Sequence, residues 1–390
     1  MTMHETSPVE VQAAATKDER LYLASQWRLM WWKFLDHRLA VFSSCVLILF
    51  YVVAVFCEFI APSSPSQRAK ERSYAPPQRI RILHEGRVHR PFVYDQIQHR
   101  DPETLRLYYT PDKETRLPIR LFVKGDPYKL WGLIPMERHL FGLGHVETVD
   151  ENGAKTTEVA RFNLMGADRL GRDLFSRIIY GSRISLSIGL VGVFLSLVLG
   201  VVIGGLSGYY GGTLDTIIQR FIEILRSFPQ IPLWMSLSAA MPATWSQLTV
   251  YFFMTVILAF IGWTALARVV RGKILSLREE DYALAARVAG RKEFSILMRH
   301  LMPGFMSHII VSVTLQIPAM IIAETSLSFL RLGLRPPTIS WGVLLQDAQS
   351  ISAIRLYPWL LWPIAFVIVA VLMFNFMGDG LRDAADPYSH

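Results

Sequence analysis

Charged residues are missing from five long runs of this chain, 39–57, 184–214, 227–267, 300–323 and 356–378. Each matches or exceeds the ~20 residues a helix needs to cross a bilayer. The run 227–267 is too long for one crossing, and Met241-Pro242-Ala243-Thr244-Trp245 near its middle reads as a turn at a membrane interface, so it divides in two. The pattern therefore predicts an all-α polytopic membrane protein with six spans. One N-terminal span (39–60) follows a polar tail (1–38), a five-helix core occupies 181–381, and a short tail (382–390) closes the chain.

Segment 61–180 breaks the pattern. It is polar and holds ten prolines, which makes long helices untenable. The run Pro118-Ile119-Arg120-Leu121-Phe122-Val123 and the Asn152-Gly153 pair predict short strands and a hairpin turn in a small folded insertion between the first and second spans. Residues 213–228 have another period. Leu214, Ile217, Ile218, Phe221, Ile222 and Leu225 fall on one helical face, opposite Asp215, Gln219, Arg220, Glu223 and Arg226, predicting an interfacial helix that leads into the third span.

Composition agrees: 52% of residues are hydrophobic and 18% charged, against roughly 25% charged in a soluble domain. Disorder, collagen and coiled coil are excluded. The net charge is +8, and its placement sets a direction. With the N-terminus inside, sixteen Lys and Arg fall in the short inside segments, while the short outside segments carry only Arg331, Arg335 and Arg355. Both termini are expected in the cytoplasm of a bacterial cell, with 61–180 outside the inner membrane. The first span starts far from the N-terminus, behind Trp27, Trp31 and Trp32, and reads as a retained helix rather than a cleaved signal.

Several chemistries can be set aside. Cys45 and Cys57 are about 18 Å apart on one helix, beyond disulfide reach. His84, His89, His99, His139 and His145 lack metal-ligand spacing. No cofactor or metal is expected on this chain. The single Gly-Lys pair, Gly272-Lys273, is followed by Ile274, so there is no phosphate-binding loop, and any ATP and Mg would sit on a partner. The span interiors offer no paired acids and bases of the kind an ion-coupled carrier needs, with Glu58, Glu324 and Asp379 placed at span ends. Gly205-Leu206-Ser207-Gly208 with a distant His308 matches the short pattern of rhomboid-like intramembrane serine proteases, but small residues of this kind are common where membrane helices pack. Gly189, Gly192, Gly200, Gly204 and Gly205 are read first as such packing contacts and second as path lining. Arg169, Arg172, Asp173 and Arg177 are read as a surface helix of interfacial anchors.

The most informative stretch is 282–304, within a basic inside loop at 273–303. It reads as a short helix, a glycine break at Gly290, and a second amphipathic helix ended near Pro303, with Ala285, Ala286 and Ala289 as a small-residue face. Ala285-Ala286-x-x-x-Gly290 followed by Pro303 resembles the coupling loop of ABC importer permeases. Arg299-His300 before Leu-Met-Pro is similar to the oligopeptide, dipeptide and nickel branch. Four further stretches resemble that branch in the same order: 168–186, Tyr209-Tyr-Gly-Gly-Thr-Leu-Asp215, Leu327–Gly333 running to Ser340-Trp341-Gly342, and Gly378–Asp383 running to Asp386-Pro387. Three departures stand out: Leu284 replaces the usual Glu, Arg331 a usual Gly, and Gly304 a frequent Asn.

The resemblance implies a permease subunit, not an enzyme, in an ATP-driven importer that takes its cargo from an extracytoplasmic binding protein. Its implied partners are a second permease subunit in a heterodimer, two ATP-binding cassette subunits, the binding protein and membrane lipid, with no nucleic acid. It places Tyr282, Ala285, Ala286, Gly290, Arg299, His300 and Pro303 at the ATPase contact. Peptides are the expected cargo, with oligosaccharides or another small solute as the alternative. The insertion, with Phe92, Tyr94, Tyr108, Tyr109, Phe122 and Trp131, is expected to cap the outer mouth and touch the binding protein, or else to brace the partner permease.

Overall fold

The computed structural model describes residues 26–84, 87–104, 106–149, 155–242 and 244–385. Residues 1–25 and 386–390 of the tails, Asp386-Pro387 among them, and the Asn152-Gly153 turn lie outside the described residues. Among the described residues five helices are long and apolar enough to cross a membrane, Arg38–Val55, Leu174–Tyr210, Gln247–Leu277, Met302–Phe329 and Pro358–Ala385. A short helix, α1 (Gln26–Asp36), precedes the first of them, α2 (Arg38–Val55). After a one-turn helix, α3 (Cys57–Ile60), the chain enters the insertion.

The short strands expected in the insertion form within 81–159, where the described residues hold seven, so the chain is not all-α there. β1 (Arg81–His84), β2 (Arg87–Arg100) and β3 (Leu107–Pro118) make one antiparallel sheet. β4 (Arg120–Leu130) pairs with β5 (Ile134–Gly142), and β6 (His145–Val149) with β7 (Lys155–Val159). The frequent prolines and extended alternation exclude long helices. Val93, Leu117, Leu143 and Phe162 form a small core. The insertion is bolted to the helical bundle. The rings of Tyr74 and Tyr357 stack 3.9 Å apart, and Trp359 donates its indole N–H to the Ala167 carbonyl at 3.1 Å.

α4 (Leu174–Tyr210) starts where Asp173 accepts the Ser176 N–H at 2.8 Å, and ends at Gly211 with φ +65°. Burial pushes the Asp173 carboxyl up to about 6, with the Ser176 contacts pulling the other way. Of the residues expected on a surface helix, Asp173 and Arg177 are buried and Arg172 half-buried, while Arg169 is exposed. Asp168 is fully buried and takes the Arg172 Nε at 2.7 Å, a close contact from the Arg177 guanidinium, and two backbone N–H groups. A lone charge at Arg177, itself 2% exposed, would be too costly, so the acid and base are buried together.

α4 packs along α7 (Gln247–Leu277), the most extensive helix contact in the chain. Glycines set the distance. A Cβ on Gly204 would lie 2.4 Å from the Ala267 carbonyl oxygen, and one on Gly208 2.8 Å from that of Arg271. Gly189 faces Ile317 and Ile321, Gly192 faces Met320 and Thr255, and Gly200 presses on Leu266. The glycine stripe is helix packing, the first of its two readings.

The third expected span is different. α6 (Gln230–Ala239) has ten residues, about 15 Å of helix, too short to cross alone. It follows α5 (Gly212–Ser227) across a break at Phe228-Pro229. α5 is not an isolated interfacial helix. Asp215 binds Arg271, Ile222 is buried against Trp263 and Ala267, and Ser238 on α6 donates to the Met254 sulfur. As the chain advances from 215 to 238 its partners on α7 retreat from 271 to 254, so α5 and α6 together run antiparallel along α7.

α8 (Asp281–Val288), α9 (Glu293–Ile296) and a π-turn at Leu297–Leu301 lead into α10 (Met302–Phe329). Glu324 lies in the last turns of α10, at the helix end where it was expected. It is fully buried within α10 and accepts hydroxyls from Ser328, Ser340 and Ser185 at 2.9, 2.7 and 3.1 Å. Past α10 come α11 (Trp341–Leu344), α12 (Ile351–Leu356) and the last long helix, α13 (Trp362–Ala385). Arg331 has φ +63°, and the cap it completes runs Arg331 N–H to Ser328 and Leu332 N–H to Leu327. That cap needs a left-handed residue, which accounts for the glycine usual at this place in the family it resembles.

Two stability outcomes follow. Asp168→Ala strands the buried Arg177 and is expected to cost about 3–5 kcal/mol, read as a fall in the thermal unfolding midpoint in detergent. Arg331→Gly removes left-handed strain and should raise the same midpoint, by about 1 kcal/mol of stability.

Candidate coupling site

The loop 281–303 is held at the end of the bundle opposite the insertion. α8 is short and half-buried, with alternate faces given to different surroundings. Ala283 and Ala286 are 4% and 9% exposed and pack on Tyr209, Ile274, Ile296 and Leu297, which joins them to α4, α7 and the start of α10. The opposite side carries Tyr282, Leu284, Ala285, Val288 and Ala289, all exposed, with Val288 at 89%. The three alanines therefore do not form one outward face. Ala286 seats the helix on the bundle, because at 3.6 residues per turn it shares a stripe with Ala283 and not with Ala285.

The break after α8 is a helix cap. Gly290 has φ +71°, its N–H reaches the Arg287 carbonyl at 3.0 Å, and the Arg291 N–H reaches Ala286 at 3.2 Å. This is the paired hydrogen bonding that ends a helix on a left-handed residue. Space around Gly290 is open, with nothing within 4 Å of a built Cβ. The glycine is needed for its backbone angle rather than for close approach.

The second helix of the loop does not stop at the proline. The chain passes through the π-turn directly into α10, with Pro303 at its second position, where the turn runs without the N–H that another residue would supply. Pro303 and Arg299 are exposed, and the side chain of His300 lies outside the described residues.

Cations tie the loop to the helix ends beneath it. The Arg278 guanidinium donates to the carbonyls of Gly208 and Tyr209, both at 3.2 Å, at the C-terminal end of α4 where the helix dipole favours positive charge. Arg287 lies over the Tyr209 ring at 5.8 Å. Arg271 grips Asp215 with two nitrogens, both at 2.5 Å. Sequence reasoning missed this bidentate pair, since 56 residues separate its members. Ser207 belongs to the same cluster, donating to Asp215 and accepting from the Gln219 amide at 3.0 Å. His308 instead lines a cavity with Lys273, Arg382 and Asp383. The serine is used as a helix tie, and no histidine shares its hydrogen bonds among the described residues.

Two family models match the chain. Residues 200–388 match the binding-protein-dependent transport system inner membrane component, and 25–77 match the N-terminal TM domain of oligopeptide transport permease C. The chain is 40% identical over 222 residues to the dipeptide transport system permease protein DppC of Bacillus subtilis, covering 57% of this chain and 68% of that protein. It is 39% identical to the oligopeptide transport system permease protein OppC of Haemophilus influenzae, covering 58% of this chain and 70% of that protein. The glutathione transport system permease protein GsiD of Pectobacterium atrosepticum is 40% identical, covering 57% of this chain and 72% of that protein.

The two faces of α8 should separate by mutation. Ala286→Leu overfills the seat and is expected to cost about 1–3 kcal/mol, whereas Val288→Glu should change stability by less than about 0.5 kcal/mol. Thermal unfolding of the purified variants in detergent checks both.

Proposed function

This chain belongs to the binding-protein-dependent transport permeases of ABC importers, and from that premise we propose that it is one half of a peptide-conducting pathway driven through α8 by a separate ATPase. The carrying observation is the double-sided α8. An exposed strip of Tyr282, Ala285, Val288 and Ala289 has no partner of its own among the described residues, while Ala283 and Ala286 on the other side belong to a buried cluster that also holds residues of α4, α7 and α10. A partner that moves this helix therefore moves the bundle with it.

In this reading two ATP-binding cassette subunits dock at the 281–303 end. Closure of their dimer on ATP pushes α8, and the tilt of α4, α7 and α10 alternates the path between outward and inward access. This chain supplies no nucleotide site. The termini and the 281–303 loop are cytoplasmic, in a bacterial inner membrane, and the insertion is extracytoplasmic, as the basic residues direct. A sixth crossing is made by α5 and α6 together, broken at Pro229. Their outward residues Ile217, Phe221, Ile224 and Ile231 are exposed and suit a second permease subunit. At the insertion end, Trp245, Arg335 and Thr338 line a cavity between the α6–α7 turn and the loop after α10, placed to receive cargo from a binding protein. Peptides are favoured as that cargo by the dipeptide, oligopeptide and glutathione permeases named above.

Co-purification with the candidate ATPases tests the coupling role, at matched membrane levels of each variant. Ala285→Arg and Val288→Glu should lose the ATPases and peptide uptake while the fold survives. Retention of the ATPases by both variants would remove α8 from the contact, and failure of the unaltered chain to hold any ATPase would overturn the importer assembly itself.

A further inference from the structure

Residues 78–180 of the insertion fall between the two stretches matched by family models, and its β4–β5 hairpin has an unusual tip. The hairpin runs beside the chain that leaves α2. Gly142 lies near Pro62, the His139 ring reaches the Ala61 carbonyl, and the Trp131 indole N–H donates to the Val55 carbonyl at 2.9 Å. The order is monotonic, so the tip points back along α2 toward the membrane. Trp131 also packs on Phe56, with ring centroids 5.6 Å apart.

At the tip, apolar side chains are presented outward. Leu133 is 79% exposed, Ile134 50% and Trp131 48%. They lie by the end of α2, whose exposed apolar residues include Ile48, Leu49, Val52 and Val55, and the Arg183 guanidinium, paired with Glu58, shares the Val55 carbonyl with Trp131. Trp131 is held at φ +53°, followed by Gly132 at +74°. A bulky aromatic residue in that region is strained, and Asn or Gly would turn the chain at lower cost. One to two residues behind the tip the character changes. Lys129, with Lys124 and Arg138 farther back, lines a cavity in which Glu137 is the single acid. Apolar tip, tryptophan, then cations is the order of a bilayer interface read from acyl chains to phosphates.

We propose that the β4–β5 hairpin is a membrane-interface anchor, with Trp131, Leu133 and Ile134 immersed in the outer edge of the lipid and Lys129 set at the phosphates. The insertion is then fixed at both sides, by Tyr74 and Trp359 to the bundle and by the hairpin to lipid beside α2. Its orientation over the pathway is held even when the helices tilt. The proposal requires that α2 crosses the bilayer, and it stands apart from the identity of the cargo.

Spin-label accessibility in the full-length chain tests it, in vesicles of phosphatidylethanolamine and phosphatidylglycerol. A Cys45→Ser, Cys57→Ala background carries a single label at Leu133→Cys, Val88→Cys or Val52→Cys, all at exposed positions where folding should survive. The Leu133 label is expected about 5–10 Å below the phosphates, open to oxygen and closed to a water-soluble nickel chelate. The Val88 label, on the β1–β2 hairpin, should show the reverse. An aqueous Leu133 label overturns the anchor, and one that is aqueous alone but shielded when the binding protein is added overturns it in favour of protein docking. An aqueous Val52 label would show instead that the span assignment has failed.

Discussion

Backbone contact between α4 and α7 is the constraint on which the other features depend. Gly204 and Gly208 let the two helices approach until carbonyl oxygens of one would meet any Cβ of the other. Lipid offers no hydrophobic driving force between apolar helices, so packing of this closeness, together with hydrogen bonds, has to hold them. At the end of the contact, Arg271, Asp215, Ser207 and Gln219 supply those hydrogen bonds in one cluster. The same approach aligns the C-terminus of α4 under Arg278 and makes the surface on which α8 sits.

From that arrangement the coupling segment acquires its properties. α8 has only eight residues and would be marginal alone. It is stabilised by the Ala283 and Ala286 seat, the glycine cap and the Arg287 contact with Tyr209. Small residues on the inner stripe bring the helix near the bundle, and larger ones on the outer stripe remain for a partner. Its buried cluster also takes in residues of α4, α7 and α10, so the seat of α8 is not set by a single helix.

The insertion end depends on buried charge instead. Asp168, Arg172 and Arg177 fold the loop before α4 into a plug of fixed shape, and Glu324 gathers hydroxyls from α4, α10 and the residue that caps α11. Removing these groups from water is tolerable only when each finds a partner, so the loops at this end have few alternative arrangements.

Much of this was legible from residue order. Runs of uncharged residues located the long helices, because a bilayer core excludes charge, and the glycine at 290 marked the end of α8, because a left-handed residue is cheapest there. The family motifs were legible as well, and the prolines of 61–180 announced a region without long helices. What the sequence left open was decided by neighbours distant along the chain. Ala285 and Ala286 are alike in composition, and only the position of the bundle determines which one is buried. Asp173 and Arg177 read as surface anchors until the fold places both away from water, Arg177 against Asp168. The break in α5–α6 and the direction of the β4–β5 hairpin were equally hidden. A periodic pattern shows that a face is apolar, whereas the tertiary structure determines whether protein, lipid or a partner covers it.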